Sequence, residues 1–175
     1  NRKFDSQLKK QSVRQGMEES LKASAEQFII NRNGITRIVA AFPWTNESAR
    51  DAFIALPGLT LTTGKERTAE AVLDVYTGQL EGAFFKPPHN SFDETTPSAD
   101  ASLWYIWAIQ QYVATTGNYK KASEAYGKAI RQILEHYKSG TDFDIQMDEK
   151  GMLHTGNGNA PLTWMNAMAN GEPAT

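Results

Sequence analysis

Ser48-Ala49-Arg50-Asp51-Ala52-Phe53-Ile54-Ala55-Leu56-Pro57-Gly58-Leu59 reads as a helix with almost no water-facing side. Ser48 offers an N-capping hydroxyl. Ala52, Phe53, Ile54, Ala55, Leu56, Leu59 and the following Leu61 occupy every direction around the axis. A helix apolar all round needs neighbours on all sides. Pro57-Gly58 predicts a bend in its middle, and Gly64 a stop. A second helix of this kind follows a cap at Ser98, through Leu103, Trp104, Ile106, Trp107, Ile109, Tyr112 and Val113, until Gly117-Asn118. A third is predicted to begin at Leu162-Thr163-Trp164-Met165-Asn166.

Between these segments the pattern is of another type. From Asp5 to about Asn31 the apolar positions Leu8, Val13, Met17, Leu21, Ala25, Phe28 and Ile29 recur mostly every four residues, which predicts an amphipathic helix ended by Asn33-Gly34. Lys65 to Leu80 repeats the pattern through Ala69, Val72, Val75 and Tyr76. Tyr119 to Ser139 does so with Ala122, Ala125, Ala129, Ile130, Ile133, Leu134 and Tyr137 inward. Ile35–Phe42 reads as a short strand, Gly82–Pro97 as a long loop, and Asp148-Glu149-Lys150-Gly151 as a hairpin turn.

Amphipathic and all-apolar helices alternate, which is what concentric layers require: inner helices ringed by outer ones. The expected fold is therefore an all-α toroid with short β-hairpins in its loops. A solenoid of helical pairs is the competing architecture, disfavoured by the long loops and the lack of a fixed period.

The totals narrow the function. The chain has 175 residues, with 18 basic and 20 acidic side chains and a net charge of −2. Balanced charge argues against nucleic acid as the main partner, since phosphate binding needs a basic excess. Having no cysteine excludes disulfides, zinc–cysteine sites and thiol catalysis. His89, His136 and His154 show no metal-ligand spacing, and no apolar run approaches the roughly 20 residues of a membrane span. Neither a metal nor a nucleotide is expected.

Chemistry concentrates where the apolar helices begin. Phe42-Pro43-Trp44 through Arg50-Asp51, Asp100 through Trp104, and Thr163-Trp164-Met165-Asn166 hold the same place relative to their helices. All four tryptophans fall in or beside these segments, although Trp107 reads as core. Parallel inner helices would bring indoles, an Arg–Asp pair, a second Asp and an amide to one end of the barrel. Indole faces stack on sugar rings, while carboxylate and guanidinium groups satisfy hydroxyls. Adjacent charges on a buried helix are costly unless paired or used. Asp100 reads equally as a first-turn acid favoured by the helix dipole.

In this order, Phe42-Pro43-Trp44, Arg50 through Leu59 with Thr63-Gly64, Asp100-Ala101-Ser102-Leu103-Trp104 and Leu162-Thr163-Trp164-Met165 resemble the amylo-α-1,6-glucosidase domain of glycogen debranching enzymes, the bacterial and archaeal type especially. The resemblance runs from about Phe28 to the end. It implies an (α/α)6 barrel akin to glucoamylase, acting without a cofactor on the α-1,6 glucosyl stub of glycogen or another branched α-glucan. It implies inverting hydrolysis, with an acid and a base ~6.5–9.5 Å apart. Arg50 and Asp51 would grip the terminal glucose, Asp100 would share the pocket, and Trp44, Trp104 and Trp164 would shape its walls. Glycogen being intracellular, the expected compartment is the cytoplasm.

Three departures accompany the resemblance. Where the family has an aspartate after Trp-Met, its general acid, this chain has Asn166. An amide does not titrate near neutral pH and cannot replace a carboxylic acid as proton donor. Thr96-Pro97 stands where the family has Tyr-Asn, and Ser48-Ala49 where a Trp-Gly pair is common. The general base is expected beyond Thr175, so residues 1–175 are expected to be roughly the first half of one barrel domain and inactive alone. The alternative is a glucan-binding protein that does not cleave, and a further one a helical scaffold without a ligand.

Overall fold

A computed structural model describes residues 16–41, 47–86, 98–156, 162–164 and 168–173. Among these residues the protein is helix-rich, with four short antiparallel hairpins between and after the helices. The helices are α1 (Met17–Phe28), α2 (Ala49–Leu59), α3 (Glu66–Thr77), α4 (Ala101–Thr116) and α5 (Tyr119–Ser139), with a 3-10 turn at Leu61–Thr63. Strands β1 (Ile29–Arg32) and β2 (Ile35–Ile38), β3 (Leu80–Glu81) and β4 (Phe84–Phe85), β5 (Ile145–Met147) and β6 (Leu153–Thr155), and β7 (Met168–Ala169) and β8 (Glu172–Pro173) pair two by two.

The core lies where α2 meets α4, with α3 and α5 packed around them. Phe53 of α2 sits at its centre, fully buried. Its ring meets Tyr76, Phe85 and Tyr105 edge-on at centroid distances of 4.8, 5.1 and 5.3 Å. These geometries let the positive ring edge face a π cloud. Tyrosine hydroxyls at the rim of the cluster find partners on neighbouring helices. Tyr126 of α5 donates to Asp74 of α3 at 3.0 Å, Tyr112 of α4 donates to Glu70 of α3, and Thr77 and Tyr105 share a bond of 2.6 Å. Lys121 of α5 also pairs with Glu70.

Several expectations are corrected. The first helix ends at Phe28 rather than near Asn31, and its Asp5–Gln15 part lies outside the described residues. Ile29–Arg32 instead pairs with Ile35–Ile38, so Asn33-Gly34 is a hairpin turn. Both turn residues have positive φ, 54° and 82°, as a type I′ turn requires. No residue of α1 is buried, and Met17 and Leu21 are exposed. The strand after the turn stops at Ile38 and does not run to Phe42.

The apolar helices are not enclosed on all sides by the described residues. Ile54 on α2 and Leu103 on α4 remain exposed, 41% and 43%. Helix α3 ends at Thr77 rather than at Leu80, which instead opens the β3–β4 hairpin, and only β4 falls within the Gly82–Pro97 segment expected as loop. On α5, Ala125 and Leu134 face outward. The helix expected to begin at Leu162–Asn166 is contradicted by a hairpin at Met168–Pro173, turned by Asn170-Gly171 with φ of 54° and 86°. The β5–β6 hairpin forms where expected, with Asp148 Oδ1 accepting from the Lys150 and Met152 amides.

Candidate active site

Arg50 stands in the first turn of α2 because Ser48 caps that helix, its hydroxyl accepting the Asp51 N–H at 3.3 Å. The guanidinium then reaches sideways to the start of α4. Nε lies 2.9 Å from Asp100 Oδ2 and Nη2 lies 3.0 Å from Oδ1, a two-pronged pairing matched to the planar fork. Nη2 also donates to the Ser98 hydroxyl and, at 3.1 Å, to the Thr163 carbonyl. Three segments 50 and 113 positions apart are thereby joined at one side chain. The pair is only 14% and 26% exposed, so its Coulomb attraction is weakly screened.

Burial by itself would raise the Asp100 carboxyl. The hydrogen bonds from Arg50 and Ser98, with the Arg50 charge, outweigh that and hold it below the ordinary aspartate range. Ser98 does not cap α4 as expected. Its hydroxyl faces Arg50 and Asp100, and Asp100 itself takes the N-cap position without a side-chain cap bond.

The backbone around Asp100 is tied down on both sides. Ala99 N–H donates to the Leu162 carbonyl at 2.8 Å, and the Ala99 carbonyl accepts from the Tyr137 phenol at 2.7 Å. Two residues after Asp100, the buried Ser102 hydroxyl donates to the Ala83 carbonyl in the β3–β4 turn.

Of the residues expected at the site, Arg50 and Asp100 touch, and the carbonyl of Thr163 joins them. Asp51 faces solvent and does not pair with Arg50. Trp104 is half-buried and meets Trp107 edge-on at 5.4 Å. Trp164 is exposed by 68%, beside Thr163. Trp44 and Asn166 lie outside the described residues. Sequence reasoning missed Ser98 as a ligand of Arg50, Tyr137 as a support, and the Thr163 carbonyl. Only Ser98 carried a signal, a hydroxyl two positions before Asp100.

A cavity of about 430 Å³ lies elsewhere, along the β5–β6 hairpin between Asp144, Gln146, Asp148 and His154, and contains none of the expected residues. Among the described residues no three His, Asp or Glu side chains group as metal ligands, and no helix is long and apolar enough to cross a membrane.

A family model described as amylo-alpha-1,6-glucosidase matches residues 23–175. No curated protein matches the chain.

Proposed function

Because the chain belongs to the amylo-alpha-1,6-glucosidase family, we propose that it serves glycogen debranching as the glucose-gripping part of a site that hydrolyses α-1,6-glucosidic branch points. The observation that carries this reading is the Arg50 junction. Nε and Nη2 are spent on Asp100, Ser98 and Thr163, while Nη1 makes no hydrogen bond among the described residues. On this reading its two N–H donors serve a sugar hydroxyl. Asp51, one residue on, offers an exposed carboxylate. Trp104 and Trp164 supply apolar ring faces for the sugar, with Trp44 as a third wall.

On this reading Asp100 is a positioning and binding group. A general acid must hold a proton near neutral pH, and Asp100 is biased towards ionisation. The acid's position is that of Asn166, and the base is supplied by a later part of the barrel. The complete fold is an (α/α)6 toroid with α2 and α4 in its inner ring and α1, α3 and α5 outside. The exposed sides of Ile54 and Leu103 are covered there by further inner helices. No cofactor takes part, the partner is a branched α-glucan, and the compartment is the cytoplasm.

Asn166 favours a second reading, a glucan-binding protein without turnover. The two separate by glucose release from a branched limit dextrin by the full-length protein. Release supports hydrolysis; none, with retained binding, supports the second reading. Asn166→Asp should raise the rate if position 166 is where the acid belongs. If Arg50→Ala leaves maltooligosaccharide affinity unchanged, the sugar site is elsewhere.

A further inference from the structure

We infer that Tyr137 is a positioning residue for the sugar site, acting from the outer layer through the Ala99 peptide units on the Arg50–Asp100–Thr163 junction. The inference rests on the proposed glucan site. Tyr137 lies near the C-terminal end of α5, 3% exposed, with its ring near Phe84 at 6.4 Å. Its hydroxyl crosses from that helix to the residue preceding Asp100, donating to the Ala99 carbonyl at 2.7 Å. The carbonyl it holds belongs to the peptide unit that continues into Asp100.

The same residue donates its own N–H to the Leu162 carbonyl at 2.8 Å, and the next carbonyl, that of Thr163, accepts from Arg50. A closed circuit results: Tyr137 to Ala99, Ala99 to Leu162, Thr163 to Arg50, Arg50 to Asp100 and back along the chain to Ala99. Its non-covalent links are single hydrogen bonds and one bidentate ion pair, and backbone joins Leu162 to Thr163 and Asp100 to Ala99. A displacement of Ala99 therefore moves Asp100 and the segment bearing Thr163 together, and with them the direction of the Arg50 fork.

Burial pushes the Tyr137 phenol up to about 12, so it remains a neutral donor across the range in which a glucan would bind. The ring fills core space and the hydroxyl alone reaches the loop, which makes the two roles separable by one atom. Tyr126 provides the comparison. It is another buried tyrosine on α5, but its hydroxyl goes to Asp74 on α3, away from the junction.

The test compares Tyr137→Phe with Tyr126→Phe in the full-length protein, reading maltotetraose affinity and thermal midpoint for each. Both should lower the midpoint by a few degrees, since each removes one hydrogen bond made by a buried tyrosine. Only Tyr137→Phe should weaken maltotetraose binding, by about three- to tenfold. Unchanged affinity in Tyr137→Phe, or an equal loss in both variants, overturns the inference. Arg50→Ala, measured alongside, keeps the failures apart. If it too leaves affinity unchanged, the sugar site itself is misplaced; if it abolishes binding while Tyr137→Phe does not, only the role of Tyr137 falls. Should Tyr137→Phe not fold, hydrogen exchange at the Ala99 amide of the unaltered protein carries the test. Maltotetraose should slow it, and an unchanged rate overturns the inference.

Discussion

Arg50 and Asp100 stand fifty positions apart in the sequence and meet fork to fork, Nε to Oδ2 at 2.9 Å and Nη2 to Oδ1 at 3.0 Å, across the N-terminal ends of two packed helices. The pairing fixes how α2 and α4 begin relative to each other. It also explains how a charged pair is tolerated at the edge of an apolar core: both prongs are satisfied, and Ser98 and the Thr163 carbonyl take up further valences.

The pairing makes stability depend on acid. Folding lowers the Asp100 carboxyl below its unfolded value of about 3.9. A group lowered in this way stabilises the fold fully above its unfolded value, and the contribution disappears as the pH falls through the folded one. Asp100→Asn mimics the uncharged state at every pH. Urea unfolding should therefore find the variant less stable by about 1–2 kcal/mol at pH 7, a figure set low because the pair is partly exposed. The gap should narrow below about pH 4. A constant gap from pH 7 to pH 3 would show that the charge on Asp100 contributes nothing.

Phe53 should be the costliest apolar truncation in the core. It is fully buried and ringed by Tyr76, Phe85 and Tyr105, partners on three other elements that cannot all close in on the space it leaves. Phe53→Ala is expected to cost about 3–5 kcal/mol in urea unfolding, with an unaltered slope. Trp104→Ala, at a half-buried position, should cost clearly less. The reverse order would mean that the core is centred elsewhere.

The helices with strong stop and start residues were legible in advance. Ser48 does cap α2, Gly117 ends α4 in a left-handed conformation, and Asn118 caps α5 by accepting from the Lys121 amide. Asn33-Gly34 misled because the same dipeptide suits a helix stop and a type I′ hairpin, and only the pairing of Ile29–Arg32 with Ile35–Ile38 decides. The Arg50 junction at the candidate site was half legible. Arg50 and Asp51 invite pairing because they are adjacent, yet successive helical residues point about 100° apart and do not face each other. The partner of Arg50 comes from another helix start, and no local pattern encodes that distance. Tyr137 reads as one more inward aromatic, since periodicity reports burial but not where a hydroxyl ends. The Thr163 contribution is a backbone carbonyl, which no side-chain motif announces.

Gly156 links the β5–β6 hairpin to the junction. It has φ of 69°, and a Cβ placed there would stand 2.7 Å from Leu162 Cδ1. Leu162 is itself buried, and its carbonyl holds Ala99. Gly156→Ala therefore carries two costs: about 1–2 kcal/mol for a left-handed non-glycine residue, and a further loss from displacing Leu162. Gly151 isolates the first. Its φ is 81° and nothing lies within 4 Å of the added atom. Thermal or urea unfolding should find Gly156→Ala more damaging than Gly151→Ala by about 1 kcal/mol or more. Gly156→Ala should also disturb Ala99 and weaken maltotetraose binding, while Gly151→Ala leaves that affinity alone. Equal losses in the two variants would mean that Leu162 yields freely to the methyl group and that the hairpin does not brace the Arg50 junction.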